Sequence, residues 1–262
     1  MVAPTIEQAL RAWGRAVQVE APLGGGNRNE TWSVRIGGRR YVARRSRRET
    51  RALTWELDLL TRLRDVGLRV PEVVSTVDGR RQVQGLVVFT WLEGEPPRSE
   101  TDWRAVVAAL DRLHAATSGW EQRPGFCSTQ QLLHVEHGGD VHLRRMPPEV
   151  VTRCRAAWAA LADEPLAVVH GDPGSGNLLV SREGVGLVDW DEARVDAAIL
   201  DFADLPLGLT DRFAPERVTR AKQAADAWEV ANAWWLEPAY ARRRLARLVP
   251  APATASVPVT CQ

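Results

Sequence analysis

The stretch from His170 to Asp191 holds the residues whose types and spacing could do chemistry. It reads His170-Gly171-Asp172-Pro173-Gly174-Ser175-Gly176-Asn177, and an acidic pair, Asp189 and Asp191 in Asp189-Trp190-Asp191, follows closely. Short apolar runs flank these groups: Leu166 to Val169 before, Leu178 to Val180 after, and Val185 to Val188 leading into Asp189. Apolar runs broken by Gly and Pro read as buried strands joined by polar loops. Asp172 and Asn177 then share one tight loop, and Asp189 ends a neighbouring strand. Two carboxylates and an amide meet at the rim of a small sheet. Phosphoryl transfer uses such a set, with a carboxylate to orient and deprotonate the incoming hydroxyl and hard oxygen ligands for Mg²⁺. Asp172 is the candidate base, and Asn177 and Asp189 are the candidate metal ligands. The Asp172 to Asn177 spacing matches a D-x-x-x-x-N catalytic loop. His170 reads as a buttress of the loop, with a histidine base as the competing assignment. Asp191 supports either a second metal or only the loop.

His170-Gly171-Asp172 with Asn177, then Asp189-Trp190-Asp191, resembles the aminoglycoside phosphotransferase family, a branch of the protein-kinase-like fold that includes choline kinase relatives. Its members show H-G-D-x-x-x-x-N followed by I-D-W-E/D, and the resemblance covers roughly residues 23–203. It implies a two-lobed α+β fold with a small β-rich N-lobe and a larger, mainly helical C-lobe. Residues 1–92 would bind nucleotide, and residues 93–249 would carry catalysis and the acceptor site. It further implies a small-molecule kinase. The γ-phosphate of ATP or GTP would pass to a hydroxyl of an antibiotic such as an aminoglycoside, or of a related metabolite, with Mg²⁺ as cofactor. A catalytically silent nucleotide-binding regulator of the same fold is the alternative. D-F-G and A-P-E are both absent, which argues against a protein kinase.

The elements that would position these groups can be traced in order. Ile6 to Trp13 reads as a short helix and Ala16 to Ala21 as a first strand. Leu23-Gly24-Gly25-Gly26-Asn27 follows as a glycine loop, then strands Thr31 to Ile36 and Tyr41 to Arg44 around a Gly37-Gly38 turn. Glycines between such strands let backbone N–H groups approach nucleotide phosphates, so Gly24, Gly25 and Gly26 are phosphate-binding candidates. The family places a Lys or Arg at the end of the third strand, and here Arg44 falls at that place. Arg45 competes, because V-A-x-K spacing from Val42 selects it. Strand alternation lets only one of the two face the cleft, and Arg44 leaves Val42 on the adenine side. Leu53, Leu57, Leu60 and Leu63 make one stripe of a helix from Glu49 to Asp65, with Gly67 closing it. By the resemblance, Glu56 on that helix pairs with the strand-three base, with Glu49 and Asp58 as rivals. Val73 to Val77 and Leu86 to Trp91 read as further strands. The resemblance puts Phe89 behind the adenine and the backbones of Thr90 and Leu92 along its edge.

Beyond Leu92 the composition shifts at Glu93-Gly94-Glu95-Pro96-Pro97, which reads as the lobe boundary. Ser99 opens a long helix. His114 reads as a packed core residue. Residues 119–146 are irregular and polar, and read as a substrate-side lid or a plain surface loop. Their histidines, His134, His137 and His142, do not make a zinc set. Asp201 reads as a tie between the catalytic loop and a helix start. Trp228, Trp234 and Trp235 read as core packing. Between Glu192 and Tyr240 there are nine acids against five bases, a bias that suits a cationic acceptor or a solvated helix face. The last residues, 250–262, are rich in Pro, Ala, Thr, Ser and Val and are expected to be a disordered tail.

The 262-residue chain is 45% hydrophobic with a net charge of +1, the profile of an ordinary globular protein with room for two lobes. Near-neutral charge gives no electrostatic case for nucleic acid, and no apolar run approaches a membrane span. Three scattered cysteines and the lack of an N-terminal apolar run fit a cytoplasmic setting. Lys222 is the only lysine, so a phosphate contact in the first half must come from arginine.

Overall fold

The computed structural model describes residues 5–14, 16–24, 29–206 and 208–249. Gly25, Gly26 and the segment 250–262, expected to be a disordered tail, lie outside the described residues.

A short helix α1 (Ile6–Leu10) precedes three strands, β1 (Val17–Pro22), β2 (Glu30–Ile36) and β3 (Arg39–Arg45). Helix α2 (Thr50–Asp65) comes next, then β4 (Val73–Val74) and β5 (Leu86–Thr90). The strands form one antiparallel sheet in the order β1-β2-β3-β5-β4. Gly37 and Gly38 turn β2 into β3 with φ of +54° and +81°, the left-handed pair that a tight hairpin needs. Alternation along the strands sorts their side chains. Val34, Ala43, Leu86 and Val88 pack with Leu10 and Trp13 on one face, while Val87, Phe89 and Val42 join the core cluster of α2.

Leu53, Leu57, Leu60 and Leu63 of α2 are all buried, and Gly67 with φ of +78° ends the helix. The strand read over Val73 to Val77 stops at Val74. Thr76 folds its hydroxyl onto the next turn, accepting from the Arg80 N–H at 2.8 Å, and this local bond replaces the ladder.

In the C-lobe α3 (Glu100–Ala116) starts at a reciprocal cap. The Asp102 N–H donates to Ser99 Oγ at 3.1 Å, and the Ser99 N–H donates to Asp102 Oδ2 at 2.9 Å. Strands β6 (His137–Gly138) and β7 (Val141–His142) make a small hairpin, and α4 (Pro148–Ala159) follows. Then come β8 (Leu166–Val169), β9 (Leu178–Ser181), β10 (Gly184–Leu187) and β11 (Arg194–Ala197), paired as β8 with β11 and β9 with β10. Helices α5 (Pro215–Ala233) and α6 (Pro238–Leu245) close the lobe. Strand β11 carries no strand signal in the sequence, because its four residues include Arg194 and Asp196. Both are buried and satisfy each other, Arg194 Nε to Asp196 Oδ2 at 2.9 Å.

Residues 119–146 are neither lid nor plain surface loop. Leu132, Val141, Leu143 and Met146 are buried in the C-lobe core, Arg123 and Thr129 are solvent-free, and none of this stretch lines the main cavity. The two lobes share a core as well. Leu57 and Leu60 of α2 and Phe89 of β5 cluster with Leu110 and Leu113 of α3 and Val168 and Leu187 of the C-lobe strands. The crossing segment is stitched to β9, where Glu95 and Val180 exchange N–H···O bonds of 3.0 and 2.7 Å. Among the described residues no helix is long and apolar enough to cross a membrane.

Candidate active site

A cavity of about 1150 Å³ lies between the sheet and the helical lobe. Asp172, Asn177 and Asp189 from the C-lobe and Val42, Arg44 and Phe89 from the N-lobe all reach its wall.

Asp172 sits exposed in the loop after β8. Asn177 Nδ2 donates to both the backbone oxygen and Oδ2 of Asp172, each at 2.9 Å. The amide nitrogen is thereby spent on orienting Asp172, which leaves the Asn177 carbonyl as a hard oxygen donor. The loop is tied to the Asp189 strand: the Val188 N–H donates to the Asn177 backbone oxygen, and His170 Nε2 donates to the Val188 backbone oxygen, both at 3.0 Å. His170 is fully buried, packs on Trp190 and is not on the cavity wall. Gly171 has φ of +90°, and a Cβ there would lie 2.7 Å from the Glu192 carbonyl oxygen, so only glycine fits. Buried Asp201 accepts the N–H groups of His170 and Gly171 at 2.8 and 3.1 Å and holds His114 Nε2 at 2.9 Å. His114 is thus part of this support and not a bystander in the core.

Asp189 has a left-handed backbone with φ of +63°, uncommon for a residue with a side chain. Solvent reaches its carboxylate from the cavity, but protein surrounds it on most sides. That burial pushes the carboxyl above its usual range, opposed by Arg44 and reinforced by Asp191. Asp191, two residues on, is buried, and Arg48 grips it at 2.7 and 3.3 Å while also holding Asp140 at 2.8 Å. Burial alone would raise the Asp191 carboxyl; the Arg48 charge and hydrogen bond, then Arg44, keep it well below the usual range. Its charge already has a counter-ion within the protein. Asn177 and Asp189 fit Mg²⁺ by chemistry, as two oxygen donors facing one cavity. Among the described residues no group of three or more His, Cys, Asp or Glu is arranged to hold a metal. A magnesium ion held by Asn177 and Asp189 would not need one, since water and a bound phosphate would supply its remaining ligands.

On the nucleotide side, Val42 and Arg44 share a face and line the cavity together with Gly24. Arg45 points to the other face, over Trp32 and 3.8 Å from Glu30. Arg44 Nη2 pairs with Glu56 Oε1, both side chains being buried, and the guanidinium lies 5.2 Å from the Phe89 ring. Arg44 Nε is buried without a partner, a donor left over beside the cavity. Of the rivals to Glu56, Glu49 is the N-terminal boundary of α2, and Asp58 pairs with Arg81 on the surface. Thr90 and Leu92 line the cavity, but the Thr90 N–H is already committed to the Glu72 oxygen at 2.9 Å. That amide is therefore not available to a base edge, which limits a backbone hydrogen bond from Thr90 to its carbonyl.

The far end of the cavity is acidic and aromatic. Glu192, Asp204, Glu229 and Glu237 line it with Trp228 and Tyr240, against two arginines, Arg194 and Arg244, the latter paired with Asp204 at 3.1 Å. Glu192 accepts from Asn232 Nδ2 at 3.0 Å and from Trp228 Nε1 at 3.4 Å. Burial, then the neighbouring Glu192, pushes the Glu229 carboxyl up to about 8. Trp228 is buried in the C-lobe core and Trp234 packs against that core, as expected, while Trp235 is 57% exposed rather than packed. Sequence reading missed Arg48 and Arg123. Nothing in an arginine-rich chain marks these two from the rest.

A nucleotide-sized cleft between an antiparallel sheet and a helical lobe, with this loop at its rim, defines a small-molecule kinase of the protein-kinase-like fold. The phosphotransferase enzyme family (APH) matches residues 20–246, and the chain belongs to that family. It is a phosphotransferase. Its fold is similar to that of macrolide 2'-phosphotransferase MphH from Brachybacterium faecium, at a TM-score of 0.61 and 17% identity over 95% of this chain and 98% of that one. Choline kinase LicA from Streptococcus pneumoniae is similar at a TM-score of 0.67 and 16% identity, over 92% and 95% of the two chains. A thermostable mutant of aminoglycoside phosphotransferase APH(4)-Ia, solved with AMP-PNP and hygromycin B, is similar at 0.63 and 18% identity, over 93% and 97%. No curated protein matches the sequence significantly.

Proposed function

We propose that the protein transfers the γ-phosphate of ATP to a hydroxyl of a small cationic acceptor, an aminoglycoside-like antibiotic or a related amino alcohol. The observation that carries this reading is the convergence of Asp172, Asn177, Asp189 and Arg44 on one cavity whose far end is lined by Glu192, Asp204, Glu229 and Glu237. GTP is the competing nucleotide. In this reading Asp172 accepts a hydrogen bond from the acceptor hydroxyl and takes its proton late in the transfer. Asn177 and Asp189 hold Mg²⁺, which when bound draws negative charge from the phosphates. Arg44 offers its positive charge to phosphate while Glu56 fixes the guanidinium, and Gly24 to Gly26 offer backbone N–H groups. Val42 and Phe89 enclose the base, with the backbone of Leu92 at its edge. The lobes divide at 92/93, nucleotide on one side and acceptor on the other. Arg194 already lies over the Trp228 ring at 3.2 Å and Arg244 over the Tyr240 ring at 5.5 Å, so a cationic amine would be held by the carboxylates and not by these rings.

The test is a panel of aminoglycosides, macrolides, amino alcohols and neutral sugars incubated with ATP or GTP and Mg²⁺, scored by mass spectrometry for gain of one phosphoryl group. Phosphorylation confined to amine-bearing acceptors, and lost in excess chelator, is the expected result. Tight nucleotide binding with no product over the whole panel would favour the silent regulator.

A further inference from the structure

Arg123 lies just after α3, with no exposed surface, and no role in the transfer has been given to it above. Its guanidinium is nearly exhausted by bonds inside the protein. Nε donates to the Ala52 oxygen in the first turn of α2 at 3.2 Å. Nη2 donates to Glu56 Oε2 at 2.8 Å. Nη1 donates to three carbonyls of one turn: Trp190 at 3.1 Å, Asp191 at 2.9 Å and Ala193 at 3.1 Å. The ring of Phe126 lies 4.5 Å from the guanidinium.

This is one continuous chain of contacts. Arg44 pairs with one oxygen of Glu56, Arg123 with the other, and Arg123 then grips the turn that begins directly after Asp189. Residues 190–193 are in neither helix nor strand, and beyond the turn bond from the Ala193 N–H to the Trp190 oxygen at 3.1 Å their carbonyls have no ladder to satisfy them. Burying a guanidinium and a carboxylate together is costly, and hydrophobic residues often serve stability as well. What the arrangement adds is geometry. A planar fork with five donors can hold three carbonyls and a carboxylate at once; a lysine ammonium cannot.

We propose that Arg123 is a positioning residue that holds the Asp189 turn in its metal-facing conformation and locks it to the Glu56–Arg44 pair. The inference rests on the reading of Asn177 and Asp189 as metal ligands. Phosphate grip and metal grip then form one rigid unit across the two lobes. Groups that orient a metal ligand from behind are worth about 10–100-fold in metal affinity.

The experiment measures binding, not turnover. Free Mn²⁺ is counted by electron paramagnetic resonance during titration of the full chain with a non-hydrolysable ATP analogue, for wild type and Arg123→Lys. Thermal unfolding monitors folding. Arg123→Lys is expected to stay folded, to need about 10-fold more Mn²⁺ for half-saturation, and to bind the analogue without metal as the wild type does. A folded Arg123→Lys protein with wild-type Mn²⁺ affinity overturns the proposal, as does equal weakening of metal-free and metal-bound analogue. If Arg123→Lys does not fold, Glu56→Gln/Arg123→Gln removes both buried charges and is compared with Glu56→Gln alone. Weaker Mn²⁺ binding in the double variant supports the proposal, and equal binding overturns it. A wild type that binds the analogue with no response to Mn²⁺ condemns the metal-site reading itself, which the Arg123 comparison does not touch.

Discussion

Asp172 has its orientation set from one side by Asn177 and is open to the cavity on the other. Its contribution as a base belongs to the transition state, so Asp172→Asn should lower kcat ~10²–10⁴-fold with nucleotide Kd unchanged. Single-turnover kinetics with equilibrium nucleotide binding check this. Retained kcat would remove Asp172 from the role, and buried His170, off the cavity wall, offers no ready substitute. The two arginines of β3 allow a sharper comparison, because they lie on opposite faces of one strand. Arg44→Ala should raise the nucleotide KM tenfold or more, as expected for about 1.5–3 kcal/mol from a charged hydrogen bond. Arg45→Ala should leave it unchanged. Steady-state kinetics on both variants decide, and the reverse pattern would mean that the phosphate contact comes from the other face.

At the scale of elements, the loop between β8 and β9 and the turn after β10 act as one piece, tied through Val188, His170 and Asp201. Gly171 is where that piece is tightest. Gly171→Ala adds a Cβ 2.7 Å from the Glu192 oxygen in a left-handed conformation, at a backbone cost of order 1–3 kcal/mol. The loop must shift to accept it, so kcat should fall well beyond what the loss of stability explains. Ser99→Ala is the matched control on α3. It removes a helix cap worth about 1 kcal/mol and lowers Tm, but should leave kcat untouched. Paired melting curves and initial rates separate the two cases. Equal effects on kcat would show that the loop tolerates displacement.

For the whole molecule, the balance of buried carboxyls sets how stability varies with pH. Asp201 is buried, which alone would raise it, but the His114 hydrogen bond and charge hold it below the usual range, and Asp191 is held down by Arg48. Depressed folded values mean stability that is present above about pH 4 and lost as pH falls below it. Glu229 has the opposite sign. Its folded carboxyl titrates near 8, against ~4.3 when unfolded, so the folded state binds more protons between those values and stability declines as pH rises through that window. Glu229→Gln should therefore flatten the alkaline side. Its Tm should gain on the wild type steadily from about pH 5 to pH 8, with the acid limb unchanged. Melting curves across that range test it, and parallel curves would show that Glu229 is ionised in the folded protein at neutral pH. A cationic acceptor bound beside Glu229 should release its proton, which calorimetry in buffers of different ionisation enthalpy would detect.

The sequence by itself determined where the candidate groups stand along their elements, because local rules decide that, and a family resemblance attached the roles to them. Loop spacing placed Asp172 with Asn177, strand parity separated Arg44 from Arg45, and an apolar stripe defined α2 around Glu56. Alternation and capping are short-range physics, readable from neighbours in the chain. What only the tertiary structure decided are contacts between residues far apart: Arg48 on Asp191, Arg123 between Glu56 and the turn after Asp189, and Asp201 under the catalytic loop. The stretch 119–146 reads as a substrate-side lid or a plain surface loop for the same reason. Its Arg123 and Thr129 are buried only because carbonyls and Asp196, brought from elsewhere in the chain, satisfy them. A charged residue counts as surface until folding supplies its partner, and the partner is chosen by the packing of the whole chain.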